Sequence, residues 1–179
     1  MHWRAMSEAD VAHVAHVAGL VHLDYPENPE VFAACFRHYP SGCHVLEEDD
    51  GKVTGYLISH PGRQDHPPVI NQPMTGLAEP FDCYFLHDLA LGPSTRGLGF
   101  AGEAVRIAVN EAKARGLSHM VLVAVGDAHG FWEKQGFELL GDGLLDPAKG
   151  YGPEARMLVR PLRRGTHDPL SVRSSLSKT

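Results

Sequence analysis

The sequence predicts a single-domain α/β fold in which helices flank a mixed sheet built around one parallel strand pair. Three observations predict it. A strand-like run, Asp82 to Leu91, is followed by a helical pattern from Gly99 to Ala114 and a nearly unbroken apolar run from His119 to Val125. That order implies a parallel pair joined by a right-handed crossover, with the second strand buried on both faces. Two further runs, Cys43 to Glu47 and Val53 to Ser59, flank Asp49-Asp50-Gly51, whose turn chemistry marks an antiparallel hairpin. The 179 residues, 43% hydrophobic and 21% charged, suit one globular domain with one sizeable core.

The chain opens with a short strand, His2 to Met6. Ser7 is a good N-cap and Asp10 stands three residues on, near the capping-box pattern. Val11, Val14, Ala15, Ala18 and Val21 then fall at helical spacing, which gives the first helix one buried face. Pro26 and Pro29 break the chain before a second helix, Glu30 to His38, and the hairpin follows. From Pro61 to Pro80 there are five prolines and little periodicity. A long structureless loop in a compact domain is usually functional, so this one reads as a lip over a substrate site, with an idle surface loop as the alternative.

In the helix after the long strand, Ala101, Ala104, Val105, Ala108 and Ala112 form a narrow stripe of small residues suited to close packing on a sheet. Lys113 and Arg115 load its last turn with positive charge, and Gly116 is a natural C′ residue. A short helix, Ala128 to Gln135, is expected to be capped by Asp127 and ended by Gly136. Phe137 to Leu140 and Arg156 to Val159 look like closing strands. The domain is expected to span 1–162, and the polar, Ser-rich tail from Arg163 to Thr179 to be loosely held.

Composition excludes several functions. The formal net charge of -6 with His neutral argues against nucleic acid as a partner. No segment is long and apolar enough to span a bilayer. Val11 to Leu20 carries His13 and His16 and lacks a basic leader, so it does not read as a signal peptide. Cys35, Cys43 and Cys83 show no CxxC spacing and read as reduced thiols in a cytoplasmic protein. His13 and His16 have a metal-compatible spacing, but no third ligand is identifiable and twelve histidines make such a pair a chance event, so no metal is expected. Cys83 shows no base-plus-orienter pattern and reads as a structural thiol.

The segment Leu91 to Gly102 carries the chemistry. Amides at a helix start have no intrahelical partner, and the helix dipole favours an anion there. Glycines let the backbone approach a ligand closely. Arg96-Gly97-Leu98-Gly99-Phe100-Ala101-Gly102 opens a helix after a strand and so offers convergent N–H donors beside a guanidinium, a cradle for a diphosphate. Gly97, Gly99 and Gly102 also spell GxGxxG, but Pro93-Ser94-Thr95-Arg96 intervene between strand and glycines, which a dinucleotide-binding unit does not allow for. A dinucleotide oxidoreductase remains the rival on that motif alone. No GxxxxGK[ST] is present.

Three stretches resemble the GNAT acetyltransferase superfamily. Arg96-x-x-Gly99-x-Ala101 fits its pyrophosphate motif, His87-Asp88-Leu89-Ala90-Leu91 looks like the strand before it, and Ala128-His129-Gly130-Phe131-Trp132-Glu133-Lys134-Gln135-Gly136-Phe137 is similar to its Ala-x-x-Phe-Tyr-x-Lys-x-Gly-Phe ending. Trp3-Arg4-Ala5-Met6-Ser7-Glu8-Ala9-Asp10 is also typical of its opening, and the likeness covers about Trp3 to Pro161. The resemblance implies a mixed, mostly antiparallel sheet whose central parallel strands splay apart. It implies acetyl-coenzyme A as co-substrate, its pantetheine arm on the backbone of Leu89 and Leu91 within Leu89-Ala90-Leu91. It places the pyrophosphate on the main chain from Leu98 to Gly102, with Phe131 and Trp132 near the arm and the sulfur. It implies direct transfer of the acetyl group to an amine in one ternary complex.

Such a transfer needs a neutral amine, a donor for the oxyanion and a proton for the leaving thiolate. The family's frequent acid is the Tyr of Phe-Tyr; Trp132 stands there, and an indole cannot serve as an acid near neutral pH. Asp88 is the first candidate for general base, with a merely strand-ordering carboxylate as its equal alternative. His129 starts the short helix and could reach the cleft, though exposure to solvent is the plainer reading. Tyr84 shares the face of Asp88 by strand alternation, and could donate a proton or simply pack. His87 should point the other way. The N–H of Leu89 is a candidate oxyanion donor. The expected partner is an unknown small-molecule or peptide amine, with no nucleic acid and no membrane; a homodimer is left open. Glu47, Glu48, Asp49 and Asp50 favour a cationic acceptor only weakly, because a charge run at a turn is commonly a solvated tip. A non-catalytic acyl-coenzyme A sensor is the alternative to an enzyme.

Overall fold

The computed structural model describes residues 1–162; the polar tail expected over Arg163 to Thr179 lies outside them. Seven strands form one sheet: β1 (His2–Ala5), β2 (Cys43–Glu47), β3 (Val53–Gly62), β4 (Cys83–Leu91), β5 (His119–Ala124), β6 (Glu138–Leu139) and β7 (Arg156–Pro161), in the order β1-β2-β3-β4-β5-β7-β6. Four α-helices accompany them: α1 (Val11–Val21), α2 (Pro29–His38), α3 (Phe100–Ala114) and α4 (His129–Lys134). Every pairing is antiparallel except β4 with β5. That parallel pair closes over two register positions alone, Tyr84↔Met120 and Phe85↔Val121. Both strands continue, β4 to Leu91 and β5 to Ala124, so they diverge beyond these positions. The β5-facing edge of β4 from Leu86 onward therefore has no strand partner.

The helices cover opposite faces of the sheet. On one face α3 lays Ala104, Ala108 and Ala112, all fully buried, against Leu57, Tyr84, Leu86 and Leu122. Small residues bring the helix axis close to the sheet, as the alanine stripe predicts. Trp132 and Phe137 extend this core. On the other face α1 and α2 bring Val14, Val17 and Phe32 against Val45, Tyr56 and Ile58. Arg4 ties β1 to the start of α1: its guanidinium donates to both carboxylate oxygens of Asp10 at 2.7 and 2.9 Å and to Glu47. Asp10 in turn accepts from the N–H and hydroxyl of Ser7 at 2.8 and 2.7 Å, which completes the expected capping arrangement. The first turn after it is a 3-10 turn, Glu8–Asp10, rather than α-helix.

Boundaries differ from the sequence expectation in a few places. β3 runs on to Gly62, three residues past Ser59, because its extension pairs with the start of β4. The short helix starts at His129 behind a 3-10 turn at Gly126–Ala128, and Asp127 makes no side-chain cap. Its N-cap is Ala128, in helical dihedrals, so the preceding turn feeds the helix directly. Cys35, Cys43 and Cys83 are free and buried. No helix among the described residues is long and apolar enough to cross a membrane.

Candidate active site

The mouth of α3 is open. Gly97 and Gly99 take positive φ, 76° and 93°, and a Cβ built on either meets nothing within 4 Å. Gly99 is the N-cap of α3, so the N–H groups of Phe100, Ala101 and Gly102 have no intrahelical acceptor. Leu98 is exposed beside them. Arg96 turns back and donates to the carbonyl of Leu91 at 3.2 Å, tying the loop to the end of β4. Trp3 donates its indole N–H to the carbonyl of Phe100 at 3.0 Å, which anchors the first turn from the far edge of the sheet. This geometry suits a pyrophosphate: free amides, a helix dipole and room for an approaching backbone-bound anion.

One irregularity in β4 decides what faces the cleft. The β3–β4 register runs Leu57↔Leu89 and Ile58↔Asp88, then resumes at Ser59↔Leu86. His87 is the extra residue of a β-bulge, and a bulge reverses the alternation of side chains on either side of it. Tyr84 and Leu86 therefore face α3, whereas Asp88 and Ala90 face α1 and α2. This corrects two expectations. Tyr84 does not share the face of Asp88: it is fully buried, and its hydroxyl meets Ser59 Oγ at 3.0 Å. Burial pushes its phenol far up. His87 and Asp88, expected on opposite faces, line one cavity together.

Asp88 sits at the centre of a polar cluster. Its Oδ1 meets His22 Nε2 at 3.0 Å, and its Oδ2 accepts from the Tyr56 hydroxyl at 2.6 Å. His22 ends α1, and Tyr56 comes from β3. Burial disfavours charge on both members of the pair. The His22 contact nevertheless holds the Asp88 carboxyl below the usual range, and the Asp88 carboxylate lifts the His22 imidazole. Each contact favours the charged form of its partner, so protonated His22 and ionised Asp88 stabilise one another. Burial, with Asp88 adding to it, drives the Tyr56 phenol well above its ordinary value, so it remains a donor.

Glu27 completes the cluster from the α1–α2 loop. It shares a cavity of about 60 Å³ with His22, Asp88, Tyr25 and Tyr151. Burial pushes its carboxyl up to about 7, against the pull of the Asn71 N–H that donates to it at 3.0 Å. Asn71 also accepts from the Asn28 N–H at 2.7 Å and takes φ 54° to do so. Next to it, Ile70 donates to the carbonyl of Lys149 at 3.0 Å. The proline-rich loop is thus docked on the α1–α2 loop and on the turn before Gly150, over the cleft.

The other residues named from sequence fall elsewhere. His129 stands on the exposed side of α4, 3.3 Å from Glu133, and does not border that cavity. Trp132 is buried in the α3-side core, edge-on to Phe131 at 4.8 Å and to Phe137 at 5.6 Å. His22, Tyr25, Glu27, Tyr56 and Tyr151 were not singled out by sequence, since they come from four separate segments. The local clue is thin: a single carboxylate, Glu27, between the Pro26 and Pro29 breaks. Among the described residues no group of three His, Cys, Asp or Glu is placed to hold a metal ion.

A family model described as the acetyltransferase (GNAT) family matches residues 12–137. No curated protein matches in sequence. Among solved structures, a GNAT-like decarboxylase, GphF, in complex with isobutyryl-CoA superposes with a TM-score of 0.74 at 17% identity, over 91% of this chain and 100% of that one. The loading GNATL domain of CurA from Lyngbya majuscula gives 0.72 at 13% identity, over 90% and 97%. The ribosomal-protein-S18-alanine N-acetyltransferase from Escherichia coli gives 0.65 at 16% identity, over 93% and 97%. At these identities the structures establish the shared fold, and the family model establishes descent. With the splayed β4–β5 pair and the open glycine mouth of α3 already in view, the chain belongs to the GNAT acetyltransferase family.

Proposed function

We propose that the protein transfers an acetyl group from acetyl-coenzyme A to a primary amine by direct attack in a ternary complex. The observation that carries this reading is the meeting of Glu27, His22 and Asp88 in one cavity at the splayed end of β4. Acetyl-coenzyme A fits the open edge of β4 and the unpartnered amides of Phe100 to Gly102, and supplies the thioester. Solved GNAT-fold proteins with coenzyme A or isobutyryl-CoA bound support that assignment.

The roles follow from the electrostatics. Both oxygens of Asp88 are engaged, so it is a weaker base than sequence alone suggests and acts to hold His22 and Tyr56. Glu27, titrating near 7, is matched to taking the proton of an ammonium acceptor. The indole of Trp132 donates no proton, so the thiolate takes one from solvent.

The test is release of coenzyme A thiol against a panel of primary amines. Turnover is expected, and Asp88→Asn, which releases His22 and Tyr56 beside Glu27, should lower kcat with coenzyme A affinity intact. A second reading, an acyl-coenzyme A sensor, rests on Trp132 lying where an acid is usual. Tight binding of coenzyme A without turnover on any amine would establish the sensor. Absence of coenzyme A binding would end both readings.

A further inference from the structure

A second, larger cavity lies under the 61–80 loop and has no part in the reading above. It holds about 340 Å³ and is walled by Pro68, Val69 and Met74 from the loop, with Phe85, His60 and His87 from β3 and β4. Ligand pockets for small molecules begin at about 300 Å³ and combine apolar walls with a few placed polar groups. His87 lines both this cavity and the small one that holds Asp88 and Glu27. The β-bulge makes that possible, since it inserts His87 between the two alternating halves of β4.

Arg63, His66, Gln72 and Thr75 also line the larger cavity, and two histidines in its wall have fixed hydrogen-bonding roles. His60 Nδ1 lies 3.0 Å from the carbonyl of Pro61, which accepts only, so His60 donates from Nδ1. His60 is buried at 6% exposure, and burial pushes its imidazole down to about 3, so it is neutral and its Nε2 is an acceptor. His87 Nδ1 lies 3.1 Å from that Nε2 and must therefore donate to it. Burial also lowers the His87 imidazole, which leaves its Nε2 unprotonated. Among the described residues this nitrogen has no hydrogen-bond partner, and it is not among the occluded unpartnered atoms. It is an open acceptor at the junction of the cavities.

We propose that the cavity under the 61–80 loop receives an aryl group of the amine acceptor, with His87 Nε2 accepting a hydrogen bond from a hydroxyl or N–H on that group. The aromatic wall points to a ring: Phe85 and His60 lie 5.7 Å apart at 35°, and Met74 adds a polarisable thioether beside them. The neutral His60–His87 chain disfavours a cationic tail there, and Glu27 is left to meet the amine at the other end. This rests on the amine-acetylation reading and specifies its substrate class.

The test is calorimetric titration of tyramine, phenethylamine and ethylamine into the protein saturated with coenzyme A. Tyramine is expected to bind at least 10-fold more tightly than ethylamine, with phenethylamine between them, the increments being those of a buried ring and one hydrogen bond. Met74→Trp, which fills the cavity, should abolish the preference for the ring while coenzyme A still binds; Val69→Trp does the same from another wall should the first variant fail to fold. His87→Ala should bring tyramine to the level of phenethylamine. Equal affinity for all three amines, or a preference that survives both tryptophans with coenzyme A affinity retained, overturns the proposal. Amine turnover without ring preference overturns the pocket alone, whereas ring preference without any acetyl transfer overturns the proposed function and leaves the pocket.

Discussion

Asp10 is nearly inaccessible and yet charged. Arg4 holds its carboxyl well below the usual carboxylate range through two hydrogen bonds, against the cost of burial, and Ser7 adds two more. A depressed carboxyl stabilises the fold above its unfolded value of about 4, and the benefit is lost as pH falls through the folded value. Asp10→Asn should therefore cost about 2 kcal/mol at pH 7, as expected for charge-assisted hydrogen bonds, and less as the pH drops below 4; urea denaturation against pH reads both. Glu27 has the opposite sign. Its carboxyl is raised to about 7, so the base form appears only as pH climbs through that value. The rate should rise across this range, and Glu27→Gln should remove that limb and lower kcat by about 100-fold. Because folding must hold Glu27 in a place that disfavours its charge, the same variant should raise Tm at pH 8, measured by calorimetry. Sequence named Asp88 but not Glu27, since a carboxylate in a loop carries no spacing signature.

At the scale of elements, α3 ties the open glycine turn at its start to the core. Its mouth was legible because Arg96 to Gly102 is a local motif whose amides need only the helix that follows. Gly99 holds φ 93°, where a side chain is strained even though space is open. Gly99→Ala should cost about 1 kcal/mol of stability through that backbone conformation. It should also weaken coenzyme A binding, since the added methyl stands at the amides; denaturation and calorimetric titration separate the two effects. The alanine stripe was equally legible. Ala108→Leu should destabilise by about 2 kcal/mol, because a fully buried position against the sheet has no room for three more carbons. The β4 bulge was not legible. Nothing in Leu86-His87-Asp88 announces an extra residue, and its register depends on β3, nearly thirty residues earlier.

Across the whole molecule, the splay of β4 from β5 leaves a wedge with the edge of β4 open, and the proposed coenzyme A site lies there. A ligand bound by the native state alone stabilises by RT ln(1 + [L]/Kd), about 2.7 kcal/mol at a hundred times Kd. Hydrogen exchange with coenzyme A should accordingly slow at the amides of Leu86 to Leu91 and Gly97 to Gly102, while β2, paired on both sides and far from the wedge, should not change. Uniform protection of every strand would argue for global tightening instead of a ligand in the wedge.

The sequence by itself determined the element order, the parallel crossover, the alanine face of α3 and the open glycine turn at its start. Each of these is written in contiguous residues, where helical or strand periodicity and backbone conformation act locally. Only the tertiary structure decided which side chains meet: His22 from the end of α1, Glu27 from the next loop, Tyr56 from β3 and Asp88 from β4. Their charges are set by shared burial and mutual contact, and a single inserted residue, His87, chooses the face on which they gather. Such properties arise from distances through space, which chain spacing does not encode.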